Sequence, residues 1–293
     1  LLTSLRTVGK AVFPDPATAW HFDDKLAQKY LLEAVGAPFA KTWVFYAKED
    51  ANRFIDRAAY PLVFKLRCGA GSTNVQLVKD RKRARALCIK AFGEGFSANP
   101  NYFDGFKGKV SGVASPQDLV GKLKRMPSSI KSNLQLKREM DRERGYLYLQ
   151  EFLPGATHDT RIAVVGERAW GFRRGVRDAD FRASGSGKID FDPTGIDPRC
   201  VEIAFETSRA LGCQSMAYDF VKAPNGEQKI VEVCFGYLAS AVQACPGYWR
   251  PDRSWQEGHF WPQDAIVADL IARMQAERAG ADTAGEGQPR LHG

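Results

Sequence analysis

The sequence lacks the features that mark membrane proteins and disulfide-stabilised proteins. No apolar run approaches the roughly 18 residues that cross a bilayer. The cysteines form no C-x-x-C pair and have no zinc-site spacing with the four histidines. The six cysteines are Cys68, Cys88, Cys200, Cys213, Cys234 and Cys245. We therefore expect reduced thiols in a cytoplasmic protein that has no membrane partner.

The sequence also has no motif that reads RNA or DNA, and it has no Walker A loop. Two small-residue segments, GAGSTN (69–74) and GSGK (185–188), lack the Gly-Lys-Ser/Thr that such a loop requires. The net charge of +8 favours a polyanionic ligand, but the basic residues are dispersed. Their two clusters, 79–85 and 136–145, are interpreted as solvated helix faces. We therefore expect no nucleic-acid partner.

The sequence has 293 residues, of which 44% are hydrophobic. This is enough for one or two domains with a sizeable core. Helices are predicted at 18–38, from about Glu49, and at 80–97, 198–211 and 263–277. Strands are predicted at 42–47, 61–67, 75–78, 145–155, 161–174 (as a hairpin), 214–222 and 229–235. Residues 1–16 are predicted to hold the end of a helix, a stop at Gly9 and a short strand at 10–14.

An Asn-Gly pair predicts a tight hairpin between the strands at 214–222 and 229–235. If Asn225 and Gly226 are the central residues of a two-residue turn, facing residues have numbers that sum to 451. Asp219 then faces Glu232, with Cβ atoms about 5 Å apart. Two such carboxylates repel unless one is protonated or a cation lies between them.

Oxygen ligands of this kind suit Mg²⁺, which commonly binds one or two carboxylates together with phosphate oxygens. Two other interpretations stay open on the residues alone. The acids could lie on a solvated face, or a different register could separate them.

Other segments point to phosphate. Lys65 lies inside the apolar strand YPLVFKL, where a buried ammonium needs an anion. The GAGSTN loop follows directly, and its small residues leave backbone N–H groups free to approach phosphate. Alone, this loop is more often a simple turn.

The segment LQEFLPG is a strand that runs into a loop at Pro154. Backbone groups near Glu151 and Leu153 could bond an adenine edge, and Glu151 could accept from ribose hydroxyls. An edge-strand acid is an equally good interpretation. Three clustered arginines downstream suit carboxylate or phosphate, because guanidinium binds both in a bidentate manner. They are Arg161, Arg174 and Arg182.

The order of these motifs resembles the ATP-grasp superfamily. The elements are a helix with Lys25, the strand with Lys65, the small-residue loop, QEFLPG, HDTRIAVVGE, RGVRDADFRASGSG and finally YDF with IVEV. The sequence looks closest to the RimK-type ligases, which join an amino acid to a carboxylate. The resemblance covers about residues 18–275, and it is the order of the motifs, not any single one, that carries it.

The resemblance implies an α+β fold in which two α+β subdomains clasp ATP between them, and it implies a role for each matching residue. ATP-binding roles fall to Lys25, Lys65, Gly69, Gly71, Ser72, Gln150, Glu151 and Leu153. The metal ligands would be Asp219 and Glu232, for Mg²⁺ or alternatively Mn²⁺. The catalytic residues, which would steady the transferred phosphoryl group, would be Arg161, Arg174 and Arg182.

Two positions depart from the family pattern. Cys234 stands where the family usually has the Asn of Glu-x-Asn, and a thiol is a poor Mg²⁺ ligand. Ser184 stands where the family often has Asn. These departures predict a second metal that is held more weakly or differently.

The same resemblance sets the expected domain limits. Residues 1–17 would be the remnant of a preceding N-terminal domain, and 18–155 the N-terminal lid subdomain with an insertion at about 98–145. Residues 156–277 would form the C-terminal subdomain with the metal site, followed by a disordered tail at 278–293.

The function implied is that of an ATP-dependent carboxylate–amine ligase acting through an acyl phosphate. Its substrates would be a small-molecule or peptide carboxylate and an amine. Ligases of this kind often pair, so a homodimer is possible, although the sequence itself does not show the oligomeric state. The alternatives are a kinase that phosphorylates a hydroxyl and a non-catalytic ATP-binding scaffold. His158 is a candidate proton acceptor, although a hydrogen-bonding loop histidine is the favoured interpretation.

Overall fold

The computed structural model of the chain describes residues 1–69, 74–97, 142–176, 180–183 and 185–285, with side chains as far as residue 279. The chain divides into two compact units. The first comprises Leu1–Phe22, Ala27–Phe39 and Leu153–Gly293, and the second comprises Asp23–Leu26 and Ala40–Phe152. Within the described ranges, no helix has both the length and the apolar character needed to cross a membrane.

The described elements are numbered in chain order. The helices are α1 (Leu2–Thr7), α2 (Pro16–Ala19), α3 (Lys25–Ala34), α4 (Lys48–Arg57), α5 (Arg81–Phe92), α6 (Pro198–Leu211), α7 (Ala239–Gln243) and α8 (Pro262–Gly285). The first six strands are β1 (Thr42–Phe45), β2 (Leu62–Lys65), β3 (Val75–Val78), β4 (Phe96–Ser97), β5 (Arg142–Glu143) and β6 (Leu147–Glu151). The remaining strands are β7 (His158–Val165), β8 (Arg168–Gly175), β9 (Ile189–Asp190), β10 (Ser215–Lys222), β11 (Gln228–Cys234), β12 (Gly247–Trp249) and β13 (Trp255–Glu257).

The second unit is a four-stranded antiparallel sheet, in the order β1-β6-β2-β3, that packs against α4 and α5. Helix α5 begins at Arg81 because the side chain of Asp80 accepts a hydrogen bond from the Arg83 backbone N–H. The arginine-rich side of α5 is exposed, which confirms that the 79–85 cluster is a solvated helix face. All four residues of β2 are buried, including Lys65.

The first unit is a seven-stranded sheet in the order β11-β10-β7-β8-β12-β13, with β9 added to β8. Successive side chains of a strand point to opposite faces, so this sheet has two different surfaces. On one surface, Ile162, Tyr218 and Phe220 form a core with α6. On the other, Ala163 and Ala217 pack near α7 and α8. The polar residues at the predicted site lie further along this second surface.

Helix α6 matches the predicted range of 198–211 because its ends are marked by local chemistry. The side chain of Asp197 caps the first turn by accepting from the Arg199 backbone N–H, and Pro198 occupies the first helical position. Gly212 ends the helix in the left-handed conformation, at φ 63°.

The hairpin between β10 and β11 has a different turn from the predicted one, but Asp219 still faces Glu232. The loop is Pro224, Asn225 and Gly226: the Gly226 N–H donates to the Ala223 carbonyl, and Gly226 has φ 89°. A three-residue loop of this type pairs residues whose numbers sum to 450, as Phe220 and Ile230 do. The predicted two-residue turn is therefore wrong.

A β-bulge corrects the register further along the same hairpin. The pairing shifts between Asp219 and Phe220, where Val231 is the extra residue on β11. Beyond the bulge the sum becomes 451, and Asp219 lies directly opposite Glu232. The facing acids are confirmed, because the bulge compensates for the longer turn.

The structure departs from the sequence prediction at both ends of the chain. Residues 10–14 form no strand, and the Asp15 backbone N–H instead donates to Gln214 Oε1 within the first unit. Helix α8 continues to Gly285, so residues 278–285 of the predicted disordered tail are helical. Residues 98–141 of the predicted insertion lie outside the described residues. The remaining basic cluster is not a helix face where it is described, since Glu143 is a buried strand residue.

The compact units also divide the chain differently from the expected limits of 18–155 and 156–277. Residues Leu1–Phe22 and Ala27–Phe39 belong to the same unit as Leu153–Gly293. The helix predicted for the lid subdomain therefore contributes mainly to the other unit.

Replacing Gly226 with Ala tests the loop geometry. Because Gly226 has a positive φ, a Cβ there strains the backbone, and we expect a loss of about 1 kcal/mol of unfolding free energy. Pro224→Ala in the same loop keeps an accessible backbone conformation and should cost less. Urea unfolding of both variants measures the difference, and an equal or larger loss for Pro224→Ala would contradict the described loop.

Candidate functional site

Two arginines and two aspartates form a buried ion cluster on one surface of the first unit's sheet. Arg161 on β7 donates to both oxygens of Asp219 on β10, at 2.6 and 2.7 Å. Arg174 on β8 donates to both oxygens of Asp159, at 2.7 Å each, and its Nη2 is also 2.8 Å from Asp219 Oδ2. The cluster exists because strand pairing places Asp219 beside Arg161 and Asp159 beside Arg174.

The pKa values of the two carboxyl groups in the cluster are shifted in opposite directions. Burial disfavours ionisation of Asp219, but Arg161 and Arg174 outweigh it, and the pKa of Asp219 lies below its ordinary value. Burial, reinforced by the neighbouring charge of Asp219, raises the pKa of Asp159 to about 6, although Arg174 acts in the other direction. The two arginines thus stabilise the ionised form of Asp219 more than that of Asp159.

Glu232 and Cys234 extend this cluster onto β11. Glu232 is half-buried and faces Asp219, whereas Cys234 faces Ala217 and lies on the same surface. Burial raises the pKa of the Cys234 thiol, and the nearby charge of Glu232 contributes to the shift. A protonated thiol is a poor ligand for Mg²⁺, so the oxygen donors here are the two carboxylates.

The donor set fits Mg²⁺ with two protein carboxylates and no more. A carboxylate offers about four lone-pair positions, and Asp219 accepts three bonds from Arg161 and Arg174. One acceptor position of Asp219 therefore remains. In the described part of the chain, no group of three or more His, Cys, Asp or Glu residues could hold a metal ion. Phosphate oxygens and water would have to complete the coordination, as is usual for Mg²⁺.

Arg182 is not tied to this cluster by the same contacts. Its guanidinium donates to both oxygens of Asp180, with Nη2 at 2.6 Å from Oδ2. The Asp180 side chain also accepts from the backbone N–H of Phe181. The structure therefore joins Arg161 and Arg174, whereas it pairs Arg182 with Asp180, two residues earlier. Ser184 lies outside the described residues.

In the second unit, Lys25 and Asp23 hold the start of the small-residue loop. Lys25 is buried, and its Nζ donates to the Gly69 carbonyl at 2.8 Å. The Asp23 carboxylate accepts from the Gly69 N–H at 2.8 Å. Gly69, which has φ 127°, is thus held through both its backbone N–H and its carbonyl. Gly71 and Ser72 lie outside the described residues.

Glu143 and Tyr146, two residues outside the predicted site, fix the two residues before Gly69. The Arg67 N–H donates to Tyr146 Oη at 2.7 Å, and the Cys68 N–H donates to Glu143 Oε1 at 3.3 Å. Tyr146 Oη in turn donates to Glu143, and burial together with this bond raises the pKa of the phenol. The signal available in the sequence was an acid three residues before a tyrosine at the start of a buried strand.

The residues predicted to line the adenine and ribose pocket lie at the end of β6 and just beyond it. Gln150 is buried, and its Nε2 donates to Thr42 Oγ1 at 3.0 Å. Glu151 Oε1 accepts from the Lys41 backbone N–H at 2.7 Å. Leu153 is half-buried in the first unit. The first two residues therefore fasten β6 to β1.

His158 faces away from the ion cluster, which argues against it as a proton acceptor there. It lines a cavity of about 570 Å³ together with Thr160 and Phe220, on the surface that packs against α6. Its Nδ1 lies 3.2 Å from Thr157 Oγ1. Burial, and then the charge of Arg173, lowers the pKa of His158.

Asp219→Asn tests the energetic role of the cluster. The change leaves Arg161 and Arg174 buried without their shared carboxylate charge, and we expect a loss of about 3–5 kcal/mol of unfolding free energy. Because the pKa of Asp219 is below 3.8 in the folded protein, the folded state releases this proton more readily than the unfolded chain. The stabilisation that comes from this pKa difference is therefore present above pH 3.8 and is lost as the pH falls through the lower pKa of the folded state. Chemical unfolding across pH, with a chelator present, measures the difference.

Asp190→Asn is the matched control, since Asp190 pairs with Arg173 on the exposed rim of the same sheet. Solvent screens such pairs, so we expect a much smaller loss. If both variants lose the same stability, the buried cluster does not have the role assigned to it.

Comparison with known proteins identifies the fold of the chain. No protein-family model matches the chain, and no curated protein matches it in sequence. Solved structures do match. The ATP-grasp ligase PsnB bound to a minimal precursor is 14% identical with a TM-score of 0.53, and the match covers 92% of this chain and 67% of PsnB.

Two other similar structures come from named bacteria. The D-alanine–D-alanine ligase of Coxiella burnetii is 13% identical with a TM-score of 0.53, covering 97% of this chain and 68% of that one. The biotin carboxylase of Campylobacter jejuni is 12% identical with a TM-score of 0.53, covering 84% and 48%. The expected α+β architecture is confirmed, and the chain has the ATP-grasp fold.

Proposed function

We propose that the chain is an ATP-dependent carboxylate–amine ligase that forms an amide or peptide-like bond through an acyl phosphate. The observation that carries this proposal is the buried cluster of Arg161, Arg174, Asp159 and Asp219, with Glu232 facing Asp219. Similar structures of this fold include a ligase bound to a precursor peptide and a D-alanine–D-alanine ligase. A small-molecule or peptide carboxylate and an amine are the proposed substrates.

The proposed reaction has two steps. An oxygen of the substrate carboxylate attacks the γ-phosphorus of ATP, the bond to the β,γ-bridging oxygen breaks, and ADP leaves. The amine nitrogen then attacks the acyl carbon, the carbon–oxygen bond to phosphate breaks, and the amine loses a proton. Positioning and charge stabilisation supply most of the acceleration of phosphoryl transfer.

The described residues suit the charge requirements of these steps. Arg161 and Arg174 are fixed by bidentate bonds, so their guanidinium groups are already oriented and little reorganisation is needed. Buried Lys65 and Lys25 would contact the phosphates. For Lys25 this requires exchanging its present bond to the Gly69 carbonyl for a phosphate oxygen.

Asp219 and Glu232 would hold Mg²⁺, which neutralises phosphate oxygens when it is bound. Asp219 would use the single acceptor position that Arg161 and Arg174 leave on it. Mn²⁺ has similar ligand preferences and is the alternative ion.

A non-catalytic ATP-binding scaffold is the second candidate, because Cys234 faces the same surface as the two acids and cannot replace an amide ligand. This candidate predicts nucleotide binding without ADP formation. A kinase that acts on a hydroxyl is separated from the ligase by the trapping experiment below.

Hydroxylamine trapping tests the proposed intermediate. With ATP, Mg²⁺, hydroxylamine and a panel of carboxylates, an acyl phosphate gives a hydroxamate in equal amount to ADP. Lys65→Met should reduce both products by about 100-fold, because it removes a phosphate-binding charge. Lys79→Met is the matched control, since Lys79 is exposed, and its activity should be unchanged.

Each other outcome of the trapping experiment has a defined meaning. ADP without hydroxamate, accompanied by a phosphorylated hydroxyl, would favour the kinase. Nucleotide binding without ADP for any carboxylate and amine in the panel would exclude the ligase and favour the scaffold.

Cys234→Asn tests the departure at the metal site. An amide oxygen here adds a ligand on the surface that carries Glu232, so we expect the Mg²⁺ concentration for half-maximal ADP formation to fall by about tenfold. Cys213→Asn is a control with a half-buried cysteine outside the cluster. An unchanged Mg²⁺ requirement in Cys234→Asn would show that Cys234 does not limit metal binding.

A further inference from the structure

Helix α8 carries an exposed apolar seam along its length. Val267, Ile271 and Met274 are 54, 50 and 41% exposed, although their side chains are large and apolar. They are spaced by four and then three residues, so they lie on one side of the helix. With Asp264 before them and Arg278 after them, the 3-4-3-4 spacing is that of a helix-pairing seam.

Past its first half, the described part of α8 is exposed. The first half packs on the sheet through Ala265 and Ile266, but all described side chains from Ile271 to Ala279 are exposed. Short isolated helices are marginally stable in water, and most helices gain their stability from packing. A seam of this kind on an otherwise unpacked helix indicates a surface that another helix covers.

The charges of α8 show which helix fits. Asp264 and Arg278 are equally distant from Ile271, and so are Asp269 and Arg273. When two copies of α8 run antiparallel about an axis at Ile271, Asp264 of each copy faces Arg278 of the other. Neither residue makes an ion pair within the described chain, whereas Asp269 is already bonded to Arg168 at 2.8 Å. The Asp264–Arg278 pair therefore supplies the main new attraction.

We propose that α8 is the interface of a homodimer in which two copies of this helix pair antiparallel about a two-fold axis at Ile271. In such an interface the same surface of each copy contacts the other, so each complementary feature occurs twice. The apolar seam buries against itself, and Asp264 of each helix meets Arg278 of its mate. This proposal is independent of the proposed enzymatic activity.

The size of the seam sets the expected strength of the dimer. A helix pair of about four turns buries less than the ~1,200 Å² of the smallest stable interfaces, unless neighbouring surfaces join it. We therefore expect a dimer with a micromolar dissociation constant that separates on dilution.

Charge exchange at Asp264 and Arg278 tests the proposed orientation. Light scattering after size-exclusion chromatography should give twice the mass of one chain at high concentration. Asp264→Arg and Arg278→Asp should each weaken the dimer by about tenfold, because like charges then face each other. The double variant should restore the wild-type affinity. Circular dichroism confirms that each variant is folded.

Cysteine cross-linking tests the position of the axis. Ile271→Cys places two thiols near the two-fold axis, and mild oxidation should give a disulfide-linked dimer on a non-reducing gel. Ala276→Cys is the matched control, because Ala276 is exposed on the side of α8 away from the seam. The wild-type chain, with its six cysteines, gives the background.

Three results would overturn the proposal. The chain could be monomeric at high micromolar concentration, in which case another segment or a different protein covers the seam. The charge-exchanged double variant could fail to regain affinity. The Ala276→Cys chain could cross-link as well as Ile271→Cys, which would place the helices in another orientation.

Discussion

The buried salt bridge between Arg161 and Asp219 is the interaction on which the candidate site depends. It joins two neighbouring strands, and Arg174 connects the same carboxylate to a third strand. A buried carboxylate without these partners would be strongly disfavoured, and two buried guanidinium groups without it would be equally costly. The cluster therefore fixes its own geometry, and it leaves Asp219 little capacity for further ligands. Any phosphate or cation must bind around an arrangement that is already formed.

The β10–β11 hairpin shows how local features combine to position a functional group. A three-residue loop alone would place Asp219 opposite Val231 and turn Glu232 toward the α6 core. The bulge at Val231 shifts the register by one residue and returns Glu232 to the surface of the ion cluster. It also lets Ile230 and Val233 both contribute to the apolar core. Such bulges are over-represented near active sites, where they redirect side chains.

The start of the small-residue loop is likewise positioned by residues that lie elsewhere in the chain. Three consecutive backbone N–H groups, from Arg67 to Gly69, donate to side-chain oxygens of Tyr146, Glu143 and Asp23. These amides are therefore already satisfied, and any phosphate contact must come from other groups. The carbonyl of Gly69 is satisfied as well, by Lys25. Gly69, the first residue of this loop, is thus held through both its backbone N–H and its carbonyl.

The sequence alone predicted the ATP-grasp architecture, through the resemblance carried by the order of its motifs, and the range of α6, because helix caps are local properties. It could not determine that Arg161 and Arg174 would be bound to Asp219 and Asp159, since those contacts follow from pairing among β7, β8 and β10. Glu143 and Tyr146 were missed for the same reason, as their partners lie far away in the chain. The right register was predicted from a wrong turn, and only the tertiary structure revealed the bulge, because packing of Ile230 and Val233 in the core selects it.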